Sequence, residues 1–156
     1  MKTDLPEFLA KNGYTLGVAE SLTGGLLSDT FARLPEASDW FKGGLVAYGS
    51  DVKRRVLRIG DVPIVSKAAA AAMADQVAAL LRCDVAVAVT GVGGPGPEEG
   101  VAAGTVWMAL HLPTGTVAAL RHFSGEPADV IRHTCHAAVE AVRDALASDQ
   151  LPEVVD

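Results

Sequence analysis

Residues 17–27 read GVAESLTGGLL. The stretch opens apolar, turns polar at Glu20 and Ser21, passes through a threonine and two glycines, and ends in leucines. An apolar segment that breaks into such a turn and then enters a helical stretch is the strand-to-helix junction of an α/β protein. Open α/β sheets bind their ligands in the crevice outside the carboxyl ends of the strands. The stretch therefore predicts a fold class and a site together.

Outward from it, apolar runs alternate with stretches of helical period. Strands are predicted over 15–19, 41–48 and 85–90, and a hairpin over 105–112 and 116–123 around the Pro113-Thr114-Gly115 turn. Helices are predicted over 25–33, 50–57, 67–81 and 128–147, with a turn-rich connection at 35–39. Ser50 and Ser66 stand where N-caps are needed. Ile131, Cys135, Val139, Val142 and Leu146 form one apolar helix face. Residues 148–156 read as a loose tail, with no linker, repeat or second domain in the 156 residues.

Bulk properties exclude whole classes. A hydrophobic content of 49% with only 5% aromatic residues predicts a sizeable core of alanine, valine and leucine. A formal net charge of −6 argues against nucleic-acid binding, and the basic run Lys53-Arg54-Arg55 is too short to reverse that. Cys83 and Cys135 are far apart and in no CxxC pair, so neither a disulfide framework nor structural zinc is expected. No signal peptide or spanning segment is read, and a cytoplasmic protein without membrane contact is expected.

Two loops follow buried-strand candidates, Ser21-Leu22-Thr23-Gly24-Gly25 and Thr90-Gly91-Val92-Gly93-Gly94-Pro95. Either the glycines only shape turns, or they bring backbone N–H groups to an anion at a helix amino end. No Walker lysine follows Gly25, no GxSxG surrounds Ser21, and no clean GxGxxG is present. His133 and His136 are three apart on a helix but have no carboxylate or cysteine companion that makes a metal site. Lys53 follows the 41–48 strand through Gly49-Ser50-Asp51. It reads either as a surface lysine or as a buried base of lowered pKa for Ser21.

Four ordered segments carry a resemblance: GVAESLTGGLL, FKGGLVAYGSDVK, TGVGGPGPEEGVAAGTVWMA and FSGEPADVIR. Together they resemble the CinA carboxyl-terminal domain family, over residues 6–146 or nearly the whole chain. That family includes bacterial nicotinamide mononucleotide amidohydrolases, and the chain resembles their stand-alone form, without the additional amino-terminal domain of full-length CinA proteins. The resemblance implies one three-layer α/β/α sandwich with a mixed sheet. It also implies hydrolysis of nicotinamide mononucleotide to nicotinate mononucleotide and ammonia in pyridine-nucleotide salvage, without metal or cofactor, in a homo-oligomer. A non-catalytic nucleotide-binding or regulatory protein of the same fold is the alternative.

By position in the motifs, the resemblance implies that Ser21 is the nucleophile and Lys53 its base. Tyr48 and Thr90 match the family's site-lining tyrosine and threonine, and Tyr48 is expected to hydrogen-bond Lys53, to stack on the pyridine ring or simply to pack. Glu20 is expected to orient the site at the substrate, to compensate the lysine charge, or to be a solvated turn carboxylate. Thr23, Gly24, Gly25, Gly91, Gly94 and Thr105 are candidates to hold ribose and phosphate. The chain departs from the pattern in reading AYGSDVK for TYSNEAK, in GVGGP for GIAGP, and in a shorter loop after it. It also has Gly125-Glu126-Pro127 where the family has Gly-Asp-Arg. Arg132 reads either as the replacement for that arginine at the phosphate or as a solvated helix charge, and with the N–H groups near Thr23-Gly24-Gly25 a preference for the mononucleotide over the riboside is expected.

Overall fold

The computed structural model describes residues 4–147; the tail predicted at 148–156 lies outside them. Five strands form one sheet: β1 (Leu16–Glu20), β2 (Phe41–Val46), β3 (Val85–Gly91), β4 (Thr105–Leu112) and β5 (Gly115–His122), in the order β2-β1-β3-β4-β5. β1 is parallel to both β2 and β3, whereas β3–β4 and β4–β5 are antiparallel. The sheet is mixed, as expected.

Side chains alternate across a strand, and here the two faces differ in size. Leu16, Val18, Val85, Val87, Val89, Val106 and Met108 face α1 (Leu5–Asn12), α2 (Leu26–Ala32) and α6 (Pro127–Ala147). Ala19, Ala86, Ala88, Ala109 and Ala118 face α5 (Lys67–Leu81), which answers with Ala69, Ala70, Ala74 and Ala78. Alanine predominates on both surfaces, with Met73 and Val77 the larger side chains that the same helix buries there. The result is the three-layer sandwich, with a large-residue core on one side and a thin alanine layer on the other.

Ser66 caps α5 as predicted, its hydroxyl accepting from the Ala69 N–H at 3.1 Å. Ser50 does not cap α4 (Ser50–Arg55): it is that helix's first residue, Gly49 holds the cap position, and no side chain caps it. β2 ends at Val46, two residues short of the prediction. Two helices lie outside the predicted set. α1 begins from Asp4, whose carboxylate accepts from Glu7 N–H, and α3 (Ala37–Trp40) occupies the connection read as turns, where it buries Trp40.

The topology brings the functional loops to one edge. Glu20 is in register with Val46, and Ala19 with Ala88, so the parallel strands finish side by side. Gly91 pairs with Val106 and Thr105 with His122, so β4 starts, and β5 ends, at that same edge. The segments after β1, β2 and β3, together with the start of α6, therefore converge there.

Candidate active site

Glu20 and Ser21 are consecutive at the end of a strand, so they leave the sheet on opposite sides. Glu20 turns towards α2 and is fully buried. Its carboxylate accepts from Thr23 Oγ1 (2.6 Å), the N–H groups of Gly25 (3.1 Å), Leu27 (2.8 Å) and Ser28 (2.8 Å), and Ser28 Oγ (2.5 Å). The first-turn donors that a helix start leaves unpaired are thus satisfied from within the chain. Gly25, at φ 113° in the cap position, makes the bend that aims them at Glu20.

The sequence reading gave Thr23, Gly24 and Gly25 to a ligand's ribose and phosphate, whereas the Thr23 hydroxyl and the Gly25 N–H donate to Glu20 and the Gly24 N–H donates to the Ser21 carbonyl at 3.1 Å. That assignment does not fit the structure, because Glu20 already fills the position of the anion. Nor is Glu20 a solvated turn carboxylate. Removing it strands buried donors, which costs about 3–5 kcal/mol. Glu20→Ala is expected to lower the melting temperature on the order of 10 °C. A thermal melt shifted by less than about 2 °C would show that α2 is held by other contacts.

Ser21 faces the other way, into a cleft of about 410 Å³ at the carboxyl edge of the sheet. Lys53 reaches the same cleft from α4, and both side chains are only 4% exposed. α4 starts immediately after the Tyr48-Gly49 turn, and its second half turns the Lys53 stem inward while Arg54 and Arg55 stay in solvent. Lys53 Nζ donates to the Tyr48 carbonyl oxygen at 3.1 Å. Burial lowers the Lys53 pKa below the ordinary lysine value, against an opposing pull from the Glu98 and Glu99 charges. A buried lysine with one carbonyl partner is the state in which a neutral amine is accessible.

Tyr48 lines the cleft with its ring 70% exposed, so it neither packs into the core nor bonds Lys53 through its hydroxyl. Thr90 does not reach the cleft wall. It is fully buried and donates to the Ile64 carbonyl at 2.9 Å, anchoring the segment that carries Ile64 and Val65 against the site. Gly91 and Gly94 do line the cleft. A side chain at Gly91 would stand 2.6 Å from the Thr105 carbonyl oxygen, which explains the glycine where β3 meets the start of β4. Thr105 itself is buried at that junction, its carbonyl accepting from Val92 N–H, and it is not part of the cleft wall.

Arg132 is not at the cleft. Pro127 and Ile131, four apart on α6, share the face that closes it. One residue further is about 100° around the helix. Arg132 accordingly lines a separate open groove between α2 and α6, bonded to Asp129 at 2.7 Å. Arg132→Ala is therefore expected to change kcat/KM by less than about twofold, as for an exposed ion pair. A tenfold loss in a steady-state assay would place the guanidinium at the substrate after all.

Sequence reasoning passed over Glu98 and Glu99, which line the cleft mouth. The signal was available, since they are the charged residues of the glycine-rich loop already singled out. Among the described residues, no group of three or more His, Cys, Asp or Glu side chains is placed to hold a metal ion. Among them, too, no helix is long and apolar enough to cross a membrane.

A mixed five-stranded sheet with a serine and a buried lysine lining a cleft at the carboxyl ends of its parallel strands defines an α/β protein. The model of the CinA C-terminal domain matches residues 1–146, and the chain belongs to that family. A competence-damage inducible protein of Desulforamulus reducens is 37% identical over 145 residues, covering 90% of this chain and 35% of the relative. A CinA-like protein of Frankia casuarinae is 37% identical over 144 residues, covering 89% of this chain and 33% of the relative. The chain thus spans about a third of the length of these curated relatives. The crystal structure of the competence damage-inducible protein A of Klebsiella pneumoniae superposes with a TM-score of 0.88 at 31% identity, covering 94% of each chain. A competence/damage inducible protein of Agrobacterium tumefaciens gives 0.82 at 28% identity, over 90% of this chain and 89% of that one. The family expected from the four motifs is the family found.

Proposed function

We propose that the protein is an amidohydrolase that cleaves the carboxamide of a nicotinamide nucleotide or nucleoside to the carboxylate and ammonia, with Ser21 as nucleophile and Lys53 as base. Nicotinamide mononucleotide is the substrate that the family resemblance implies, within pyridine-nucleotide salvage. The observation that carries the reading is that Ser21 and Lys53, each 4% exposed, both line one cleft. Polar side chains this buried are uncommon unless they are paired or used.

In the proposed reaction neutral Lys53 Nζ takes the Ser21 hydroxyl proton as Oγ attacks the carboxamide carbon. The resulting oxyanion is met by backbone N–H groups, for which Leu22 and the Gly93-Gly94 segment on the cleft wall are the candidates. Lys53 then passes its proton to the nitrogen as the C–N bond breaks, and ammonia leaves an acyl ester on Ser21. Water attacks that ester with Lys53 again as base, freeing the carboxylate. Tyr48, exposed at the rim, offers a ring face to the pyridine.

The test is to incubate purified protein with nicotinamide mononucleotide, nicotinamide riboside, NAD and free nicotinamide, and to assay ammonia and carboxylate together. Equal amounts of both products from at least one ribosylated compound support the reading. Binding without release of either product supports the non-catalytic alternative.

A further inference from the structure

The cleft has a buried end and an acidic mouth. Ser21 and Lys53 are buried at the inner end, and the Ser21 hydroxyl has no hydrogen-bond partner among the described residues. Glu98 and Glu99 line the mouth, both exposed. The two carboxylates do not ride on loose chain: Glu98 N–H donates to Val101 O at 3.0 Å, and Val101 N–H donates to Glu98 O at 2.9 Å. That closes a two-residue turn through Glu99 and Gly100, both at positive φ (50° and 77°). Gly93, Gly94 and Gly96 and the start of α4 at Ser50, which no side chain caps, lie on the same wall. Their backbone N–H groups give an anionic group of a ligand partners other than the two carboxylates.

Lys53 is the one cation among the described residues that line the cleft. In the proposed reaction it works as a neutral amine, and the cleft then holds two negative charges without a counterion of its own. Aromatic carboxamides differ in what they bring to such a cleft. A nicotinamide ring that carries ribose on its nitrogen is a pyridinium, with a full positive charge. Free nicotinamide and the reduced dihydropyridine ring carry none. The ring nitrogen is meta to the carboxamide, so a carboxamide carbon at Ser21 leaves the charged nitrogen and its ribose towards the mouth, on the side of the acidic turn. Opposite charges a few ångström apart near a protein surface attract even where water screens them.

We propose that Glu98 and Glu99 are specificity residues that recognise the positive charge of a pyridinium ring, so that the cleft takes cationic, N-ribosylated carboxamides in preference to neutral aromatic carboxamides of the same shape. The inference rests on reading the cleft as an amidase site and says what distinguishes its substrate. The two carboxylates touch the ring's charge and not the bond that breaks, so they set which ring is held at Ser21 and take no part in the attack.

The experiment compares nicotinamide mononucleotide with its benzamide C-nucleotide, in which carbon replaces the ring nitrogen. The two share shape, carboxamide, ribose and phosphate, and differ in the ring charge. Affinities are measured by calorimetry in the Ser21→Ala protein, where no turnover disturbs them, with and without Glu98→Gln/Glu99→Gln; ammonia release from the mononucleotide by wild-type protein is assayed in parallel. Ser21→Ala is expected to bind the cationic compound about tenfold more tightly, and the added glutamines to bring the two to within about twofold. Whatever the phosphate binds acts on both compounds and cancels in their ratio, as does any effect of the glutamines on Lys53. The charge preference without ammonia release from wild-type protein would overturn the amidase reading and leave the charge recognition standing. Ammonia release with equal affinities in Ser21→Ala, or with a ratio that the glutamines do not move, would overturn the charge recognition and leave the amidase reading standing. Binding of neither compound also overturns the recognition.

Discussion

Ser21→Ala is expected to abolish amide hydrolysis, by roughly 10⁴–10⁶-fold in kcat, in a protein that remains folded. The hydroxyl makes no hydrogen bond among the described residues, so its removal takes nothing from the core and leaves no orphaned partner. Its loss removes the atom that forms the acyl ester, and the remaining contacts of the cleft can still bind substrate. The variant should therefore keep wild-type affinity and a melting temperature within about 2 °C of wild type. Ammonia release undiminished in the folded variant would mean that water, not Ser21, attacks the carboxamide.

Lys53→Arg is expected to lose turnover by roughly 10²–10⁴-fold, nearly as much as Lys53→Ala. Arginine preserves the positive charge but gives up no proton in a protein, so the pair of variants separates base from electrostatic partner. The pH profile gives an independent reading. Only the neutral amine accepts a proton, so kcat/KM should rise with pH through the Lys53 pKa. Burial lowers that pKa, which places the rising limb below the range of an ordinary lysine, while the charges of Glu98 and Glu99 hold it up. Removing those two carboxylates should move the limb to still lower pH. A limb that stays in place in the Glu98→Gln/Glu99→Gln variant, or a Lys53→Arg protein with near-normal turnover, would make Lys53 a structural cation.

The fold was legible where a local pattern and its energetic cause coincide. The apolar run at 85–90 is the buried strand it reads as, the alanine-rich Lys67–Leu81 is the helix its propensity predicts, and Ser66 caps as a serine ahead of alanines should. The short helices were not legible. α3 is four residues long, and α1 is eight; helices of that size are marginal alone and take their stability from packing, here of Trp40, Leu5 and Leu9. Ser50 looked like a cap by residue type, but the chain enters α4 one residue earlier. The residues alone left Lys53 either a surface lysine or a base for Ser21, and only the family resemblance chose between them. The two residues are 32 positions apart, and only the parallel register of β1 and β2 brings their loops to one edge.

Glu20 and Arg132 show how a direction, more than an identity, escapes sequence. Glu20 stands beside Ser21 in the chain and behind it in space, a reversal that strand alternation alone could have announced. Arg132 is one residue past Ile131, and one residue of helix carries it from the cleft to a different groove. Thr90 was chosen by motif position for the site, and its hydroxyl instead ties the Ile64 segment to β3.

The covalent role of Ser21 is tested most directly by hydrolysis in the presence of hydroxylamine, a small nucleophile that competes with water for an acyl ester. With nicotinamide mononucleotide as substrate, the account predicts that hydroxamate appears at the expense of carboxylate as hydroxylamine is raised, while total product still matches the amide consumed, and that Ser21→Ala forms neither. Amide hydrolysis that proceeds with no hydroxamate at any hydroxylamine concentration would contradict it.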